Sequence, residues 1–427
     1  MAQSRLPKLI FADTDGNVYD HPELHMLVRR GRELVPPRPN ELSPLPEESR
    51  LYLLPGRHAV GLDLKTGRAE VLNETAVAVF VCPGYTTTGV AAYYTPGHRG
   101  KAEIPTLPLF AYTGVGFHRG RFYVAARLVD TDRRQIFTGI SEQYIHKEAL
   151  ALQKHFPKNR LLQHLTNCAL NSCCPAARNL CLGRFEAPLP TARSCNARCV
   201  GCISMQTDEF GFPATQSRIT SPPNSTELIE IMTVHAIREP QPILSFGQGC
   251  EGEPLIEGEV IADAIRTFRI KGGRGTVNIN TNGSLPTAIP ALVTAGASSI
   301  RVSLNSAQPE LYTAYYRPHG YVFNDVRTTI TMAKAYGCFV SLNLLYFPGI
   351  TDTESELKAL SDLIAETKLD LIQLRNLNLD PELYLELAGN HATDPSMGFN
   401  NFKKRLSKAF PWLSFGYFNP YLKDRLK

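Results

Sequence analysis

From about residue 188 the chain alternates short apolar runs with stretches of helical spacing, and this pattern narrows the possible folds more than any other feature. Residues 243–246, 275–280, 299–304, 338–347 and 369–374 read as strands, and 256–269, 285–295, 322–336 and 354–367 read as the helices between them. Thr353 and Glu356 have the spacing of a capping box at the start of the last helix. Such alternation implies βα units, a parallel sheet and right-handed crossovers. The expected fold is therefore α/β: six units curving into a partial, TIM-like (β/α)6 barrel. In barrels of this kind chemistry gathers in the loops at the carboxyl ends of the strands.

The rest of the 427 residues divides around that barrel. Residues 1–48 read as an N-terminal segment with a Pro-rich connector, because Pro36, Pro37, Pro39, Pro44 and Pro46 disfavour helix and strand interiors. Residues 49–140 read as a β-rich domain with hairpins around Lys65-Thr66-Gly67 and His118-Arg119-Gly120. Residues 141–187 form a helical, Cys-containing linker, 188–380 the barrel, and 381–427 a basic, aromatic C-terminal extension. Lys plus Arg number 45 and Asp plus Glu 40, a mixed composition that excludes disordered, collagenous and coiled-coil chains. No apolar run approaches the roughly 18 residues of a membrane span. The opening residues show no signal-peptide core, so a cytoplasmic protein is expected, and in that reducing setting clustered thiols read as metal or redox ligands.

Seven of the ten cysteines fall between Cys168 and Cys202. Cys195, Cys199 and Cys202 stand in a CxxxCxxC loop. A 4Fe–4S cube has four irons, so three thiolates leave one iron open for chemistry. The competing reading is a structural zinc whose fourth ligand lies elsewhere. This loop resembles that of the radical S-adenosylmethionine (SAM) superfamily. The resemblance implies that SAM chelates the open iron, that an electron from the cluster cleaves its sulfonium, and that the resulting 5′-deoxyadenosyl radical abstracts hydrogen from a substrate. It also implies an electron donor such as ferredoxin or flavodoxin. Gly252-Glu253-Pro254 matches the family's SAM-ammonium turn, with Glu251 standing where a first Gly is usual. By the same resemblance Asn280, Ser303 and Asn305 are expected to bind the methionine carboxylate and ribose, and Asn376 the adenine or ribose. The runs 246–255 and 375–384 are similar to those of a bacterial group of radical SAM proteins, which brings no substrate; a small molecule, a peptide and RNA all stay open.

Other residues carry less decided readings. Cys250 could donate hydrogen to a substrate radical, ligate metal, or simply be buried. Cys168, Cys173, Cys174 and Cys181 form a possible second site for an auxiliary iron–sulfur cluster, although adjacent thiols such as Cys173 and Cys174 seldom bind one ion together. Gln373 and Arg375 should point into the barrel, where a buried Arg needs a substrate anion or an internal acid. Residues 402–427 carry seven Lys or Arg against one acid, interleaved with aromatics. That tail suits RNA contact, or, since Phe402, Leu406 and Phe410 recur at helical spacing, closure of the barrel's open side. The alternative for the whole chain is a zinc-stabilised, non-catalytic nucleic-acid-binding protein.

Overall fold

In the computed structural model, which describes residues 6–101 and 103–423, seven parallel strands pair in sequence order. They are β1 (Glu186–Leu189), β2 (Ile243–Phe246), β3 (Thr276–Thr281), β4 (Ser299–Leu304), β5 (Phe339–Tyr346), β6 (Leu371–Asn376) and β7 (Ser414–Gly416). The seventh comes from the 381–427 extension, so the sheet exceeds the six strands expected; a three-residue strand is too short to show a period in sequence. Three helices precede the sheet: α1 (Glu142–His155), α2 (Arg160–Asn171) and α3 (Pro175–Leu182). The rest follow its strands: α4 (Ser225–Arg238), α5 (Gly258–Ile270), α6 (Ile289–Ala295), α7 (Pro309–Tyr316), α8 (Phe323–Ala335), α9 (Glu354–Thr367), α10 (Pro381–Ala388) and α11 (Phe399–Ala409).

Period-two alternation sorts each strand into two faces. Ile300, Val302 and Leu304 of β4 and Val340, Leu342 and Leu344 of β5 are buried beneath the helices. The opposite face is polar. Glu186 accepts from Ser245, Asn278 donates to Ser245, Ser299 to Asn278, Arg301 to Gln373, and Asn343 to Ser303. This hydrogen-bonded lining leaves the barrel interior wettable. The sheet is left open between β1 and β7, and the chain's end closes the gap. Asn419 accepts from Gln373 of β6 and donates to Glu186 of β1 at 2.9 and 2.8 Å. Phe402 and Leu406 are buried against the barrel. The tail thus packs on its own domain; its Asp424, Arg425 and Lys427 lie outside the described residues.

The N-terminal part corrects one expected boundary. Lys8–Ala12 and Val18–Met26 belong to the same antiparallel sheet as Arg50–Leu62, Ala69–Phe80, Val115–His118 and Arg121–Val124. Residues 1–48 are therefore not a separate connector. Of Pro36, Pro37, Pro39, Pro44 and Pro46 only Pro44 falls in a strand, and it sits at the sheet's edge, where no further ladder bond is needed. The hairpin at His118–Arg121 turns through Arg119 and Gly120 with φ of +48° and +77°, as a two-residue turn matched to strand twist requires. This unit grips the barrel through a fully buried ion pair, Arg57 to Asp380 at 3.2 Å. Among the described residues no helix is long and apolar enough to cross a membrane.

Candidate active site

The Cys195–Cys202 loop leaves the end of β1 and is held from three sides. Glu251, buried in the following βα turn, accepts the Thr191 and Ala192 amides at 2.7 and 2.9 Å and the Gln248 amide at 2.6 Å. The Gly252 amide donates to the Ala192 carbonyl at 2.6 Å and the Glu253 amide to Ser194 at 2.9 Å. From the far side, the Arg198 and Val200 amides donate to the carbonyls of Tyr316 and Tyr315 at the end of α7. Asn196 donates to Ser284 and accepts from Asn282, tying the loop to the turn after β3. A Cβ on Gly252 would lie 1.9 Å from the Ser194 carbonyl oxygen, and one on Gly201 2.3 Å from the Tyr315 hydroxyl. Only glycine allows both approaches.

All three thiols are half-buried. Burial pushes Cys195 up to about 11 and pushes Cys199 well up, with Cys202 and Cys195 adding to the rise at Cys199. The sulfurs therefore sense one another across a shared space, and loading them with metal displaces protons. Arg218 donates to Cys202 Sγ at 3.6 Å and to the neighbouring Ser204 hydroxyl at 3.1 Å. Among the described residues no three His, Cys, Asp or Glu side chains close on a single metal ion. Three cysteine thiols on one loop are the soft donor set that an iron–sulfur cluster takes.

The neighbouring turn is equally built. Glu253 accepts from the Thr281 hydroxyl and from the Asn282 and Leu255 amides. Burial pushes its carboxyl up to about 7, against the pull of those donors. Its Oε2 accepts a single N–H and keeps a lone pair for a ligand ammonium. Asn280 faces the interior, but its amide donates to the Phe246 and Gly247 carbonyls at 2.8 and 3.0 Å and so fixes the end of β2. Ser303 also faces inward and stays partly accessible.

Two expected SAM contacts stand elsewhere. Asn305 is buried against the Leu311 carbonyl and the Tyr384 hydroxyl, because the strand ends at Leu304 and alternation stops there. Asn376 faces away from the interior, as its neighbour Arg375 faces in, and its amide pairs with the backbone of Tyr85 and Thr87 in the N-terminal unit. Of the proposed second thiol set the structure brings Cys174 close to Cys168 but leaves Cys173 and Cys181 apart from them. Cys173 is exposed with a φ of +50°, while Cys181 is buried on α3, where burial pushes its thiol up to about 12. Cys168 also lies 3.4 Å from His164, and hydrogen bonding to Cys168 pushes the thiol of Cys250 upward. Glu251, Arg218 and the carbonyls of Tyr315 and Tyr316 escaped the sequence reading. Only Glu251 left a signal, by replacing the usual Gly.

Residues 189–361 match the profile of the Radical SAM superfamily. Residues 189–361 therefore form a radical SAM domain. The superfamily's cofactors are a 4Fe–4S cluster and S-adenosylmethionine. Among solved structures the chain is similar to HydG, a maturase of the FeFe-hydrogenase, at 14% identity over 66% of this chain and 65% of that one, TM-score 0.39. It is similar to a radical SAM methyltransferase from Sphaerobacter thermophilus at 14% identity over 55% and 67%, TM-score 0.38. A third similarity is to methylornithine synthase, 12% identity over 68% and 75%, TM-score 0.37. The chain thus spans 65% of the length of the maturase. No curated protein sequence matches it significantly. The zinc-stabilised, nucleic-acid-binding alternative finds no support in this family match.

Proposed function

We propose that this protein is a SAM-cleaving enzyme in which Cys195, Cys199 and Cys202 hold a 4Fe–4S cluster and Gly252 and Glu253 position SAM. The observation that carries the proposal is the backbone clamp between loop and turn: two amide-to-carbonyl bonds and a glycine with no room for a side chain bring the thiols against the Gly-Glu-Pro segment. Cys195, Cys199 and Cys202 would hold the cluster, which would supply the electron for reductive cleavage of the SAM sulfonium and so the radical chemistry on a substrate. The chain's own residues do the rest. Glu251 fixes the approach of the loop to β2, and Arg218 sets a cation beside Cys202. Glu253 accepts from the end of β3 while keeping acceptor capacity for the ammonium. Ser303 offers an interior hydroxyl, and Asn280 shapes the floor by holding the end of β2. Burial of both carboxylates excludes water from the seam where they lie. A cytoplasmic setting with a ferredoxin- or flavodoxin-like donor suits three free thiols.

Anaerobic reconstitution followed by dithionite and SAM tests the reading. About four irons per chain and release of 5′-deoxyadenosine are expected, both lost in C202A. Full iron loading in C202A, or colourless wild-type protein after reconstitution, would overturn it.

A further inference from the structure

Among the described residues, two guanidiniums inside the barrel form no ion pair with a carboxylate. Arg301, from the middle of β4, donates to the Gln373 amide oxygen at 3.1 Å, and its Nε is buried with no partner. Arg375, near the end of β6, lies over the Tyr417 ring at 4.2 Å and donates to the Tyr417 carbonyl at 3.2 Å. The acid that acts on Arg301 is Glu186, which is already engaged by Ser245, Asn419 and Arg134. Burial first, and the neighbouring Arg375 second, lower Arg301 to about 10. A buried cation is costly without a counter-charge, and two close together more so.

The side chains around the pair are not sealed from solvent. Arg301, Ser303, Asn343, Leu345 and Arg375 all face inward yet stay partly accessible. Arg301 lies one interior layer below Ser303, and so below the rim that carries the cysteine loop. The tail closes the side of this space with Tyr417 and Asn419.

We propose that Arg301 and Arg375 together seat an oxyanion, a carboxylate or phosphate, of a small-molecule substrate. The inference rests on the SAM-cleaving reading, because it places the substrate beneath that site. A guanidinium fork matches the planar or tetrahedral oxygens of such a group, with Ser303 and Asn343 as neutral partners nearby. A seat set below the rim favours a small acid over a peptide or RNA, whose length would have to enter from the rim.

The test uses the full-length reconstituted protein, calorimetric titration and thermal melts, with inorganic phosphate and succinate as separate probes. One of the two should bind and raise the melting temperature, and the better probe tells phosphate from carboxylate. R301M and R375M should each weaken that binding by about tenfold or more, while SAM affinity stays within about twofold of wild type. R301K, which keeps the charge and loses the fork, should fall between and serves if R301M does not fold. Equal probe binding by wild type and variants, or no binding by wild type, overturns the proposal. So does a loss of SAM affinity in parallel with the probe, which would assign the pair to SAM. If wild type takes up no SAM but the probe still depends on both arginines, the anion seat stands and the SAM-cleaving reading falls.

Discussion

Gly252 shows how one residue couples the two halves of the site. Its amide bonds Ala192 and its missing side chain admits the Ser194 carbonyl, so any Cβ must push the cysteine loop off the turn. G252A should cost about 2–3 kcal/mol by overpacking and reduce iron uptake, read by urea denaturation and iron assay; unchanged iron content would contradict this. Glu251, its neighbour, is the departure from the family's turn that the structure explains. With three backbone amides on one carboxylate, E251A should cost about 2–4 kcal/mol by orphaning those donors. The sequence made the thiols, the turn and the inward set of Arg375 legible, since spacing and alternation carry them. It did not reveal that Asn376 serves the N-terminal unit, because its partners Tyr85 and Thr87 lie almost three hundred residues away.

Elements were legible where the period was long and were missed where tertiary contacts decide. Helix α9 spans Glu354–Thr367 as its spacing predicts, but only half of the capping box is closed. Thr353 accepts from the Glu356 amide, while the Glu356 side chain turns away to accept from Ser306, the Ala307 amide and Gln308. Helix α9 thereby holds the turn leading into α7, the helix that positions the cysteine loop. Burial pushes the Glu356 carboxyl upward against those donors. E356A should cost about 2–4 kcal/mol, more than a simple cap, measured by chemical denaturation. Helix α4 brings a pH dependence. Its His235 is fully buried on the Phe185 carbonyl at 3.2 Å, and burial lowers its pKa below 6.5. Below pH 6.5 the unfolded chain binds a proton there that the folded one refuses, so stability falls as pH drops. Glu239, Arg238 and Glu186 also act on the ring. The melting-temperature gap between wild type and H235L should narrow as pH falls from neutral, and a constant gap would refute the assignment.

At the scale of the whole molecule, the βα alternation announced the barrel, but how it closes and what docks on it depend on contacts too distant in sequence to show a pattern. One such contact is the Arg57–Asp380 pair, with both side chains fully excluded from water. Asp380 also caps α10 and accepts the Leu107 amide. D380A should therefore cost about 3–5 kcal/mol by stranding a buried cation, and calorimetry should show the N-terminal unit melting apart from the barrel. The other is the tail. Asn419 bridges Gln373 and Glu186, its carbonyl accepts from Arg134 at 2.9 Å, and the Leu422 amide donates to Thr276 at 2.8 Å. Those bonds join β6, β1 and β3 across a gap that the backbone ladder leaves open. Removing residues 414–427 takes away β7 and this bridge together, leaving Glu186 beside a polar lining newly open to water. Amide exchange should then speed up selectively along β6, which loses its neighbouring strand, and β1, which loses the Asn419 bridge, while β3 to β5 keep both of their neighbours and stay protected. Uniform acceleration would mean that the tail sustains the whole core. No change in β1 would mean that the barrel closes without it.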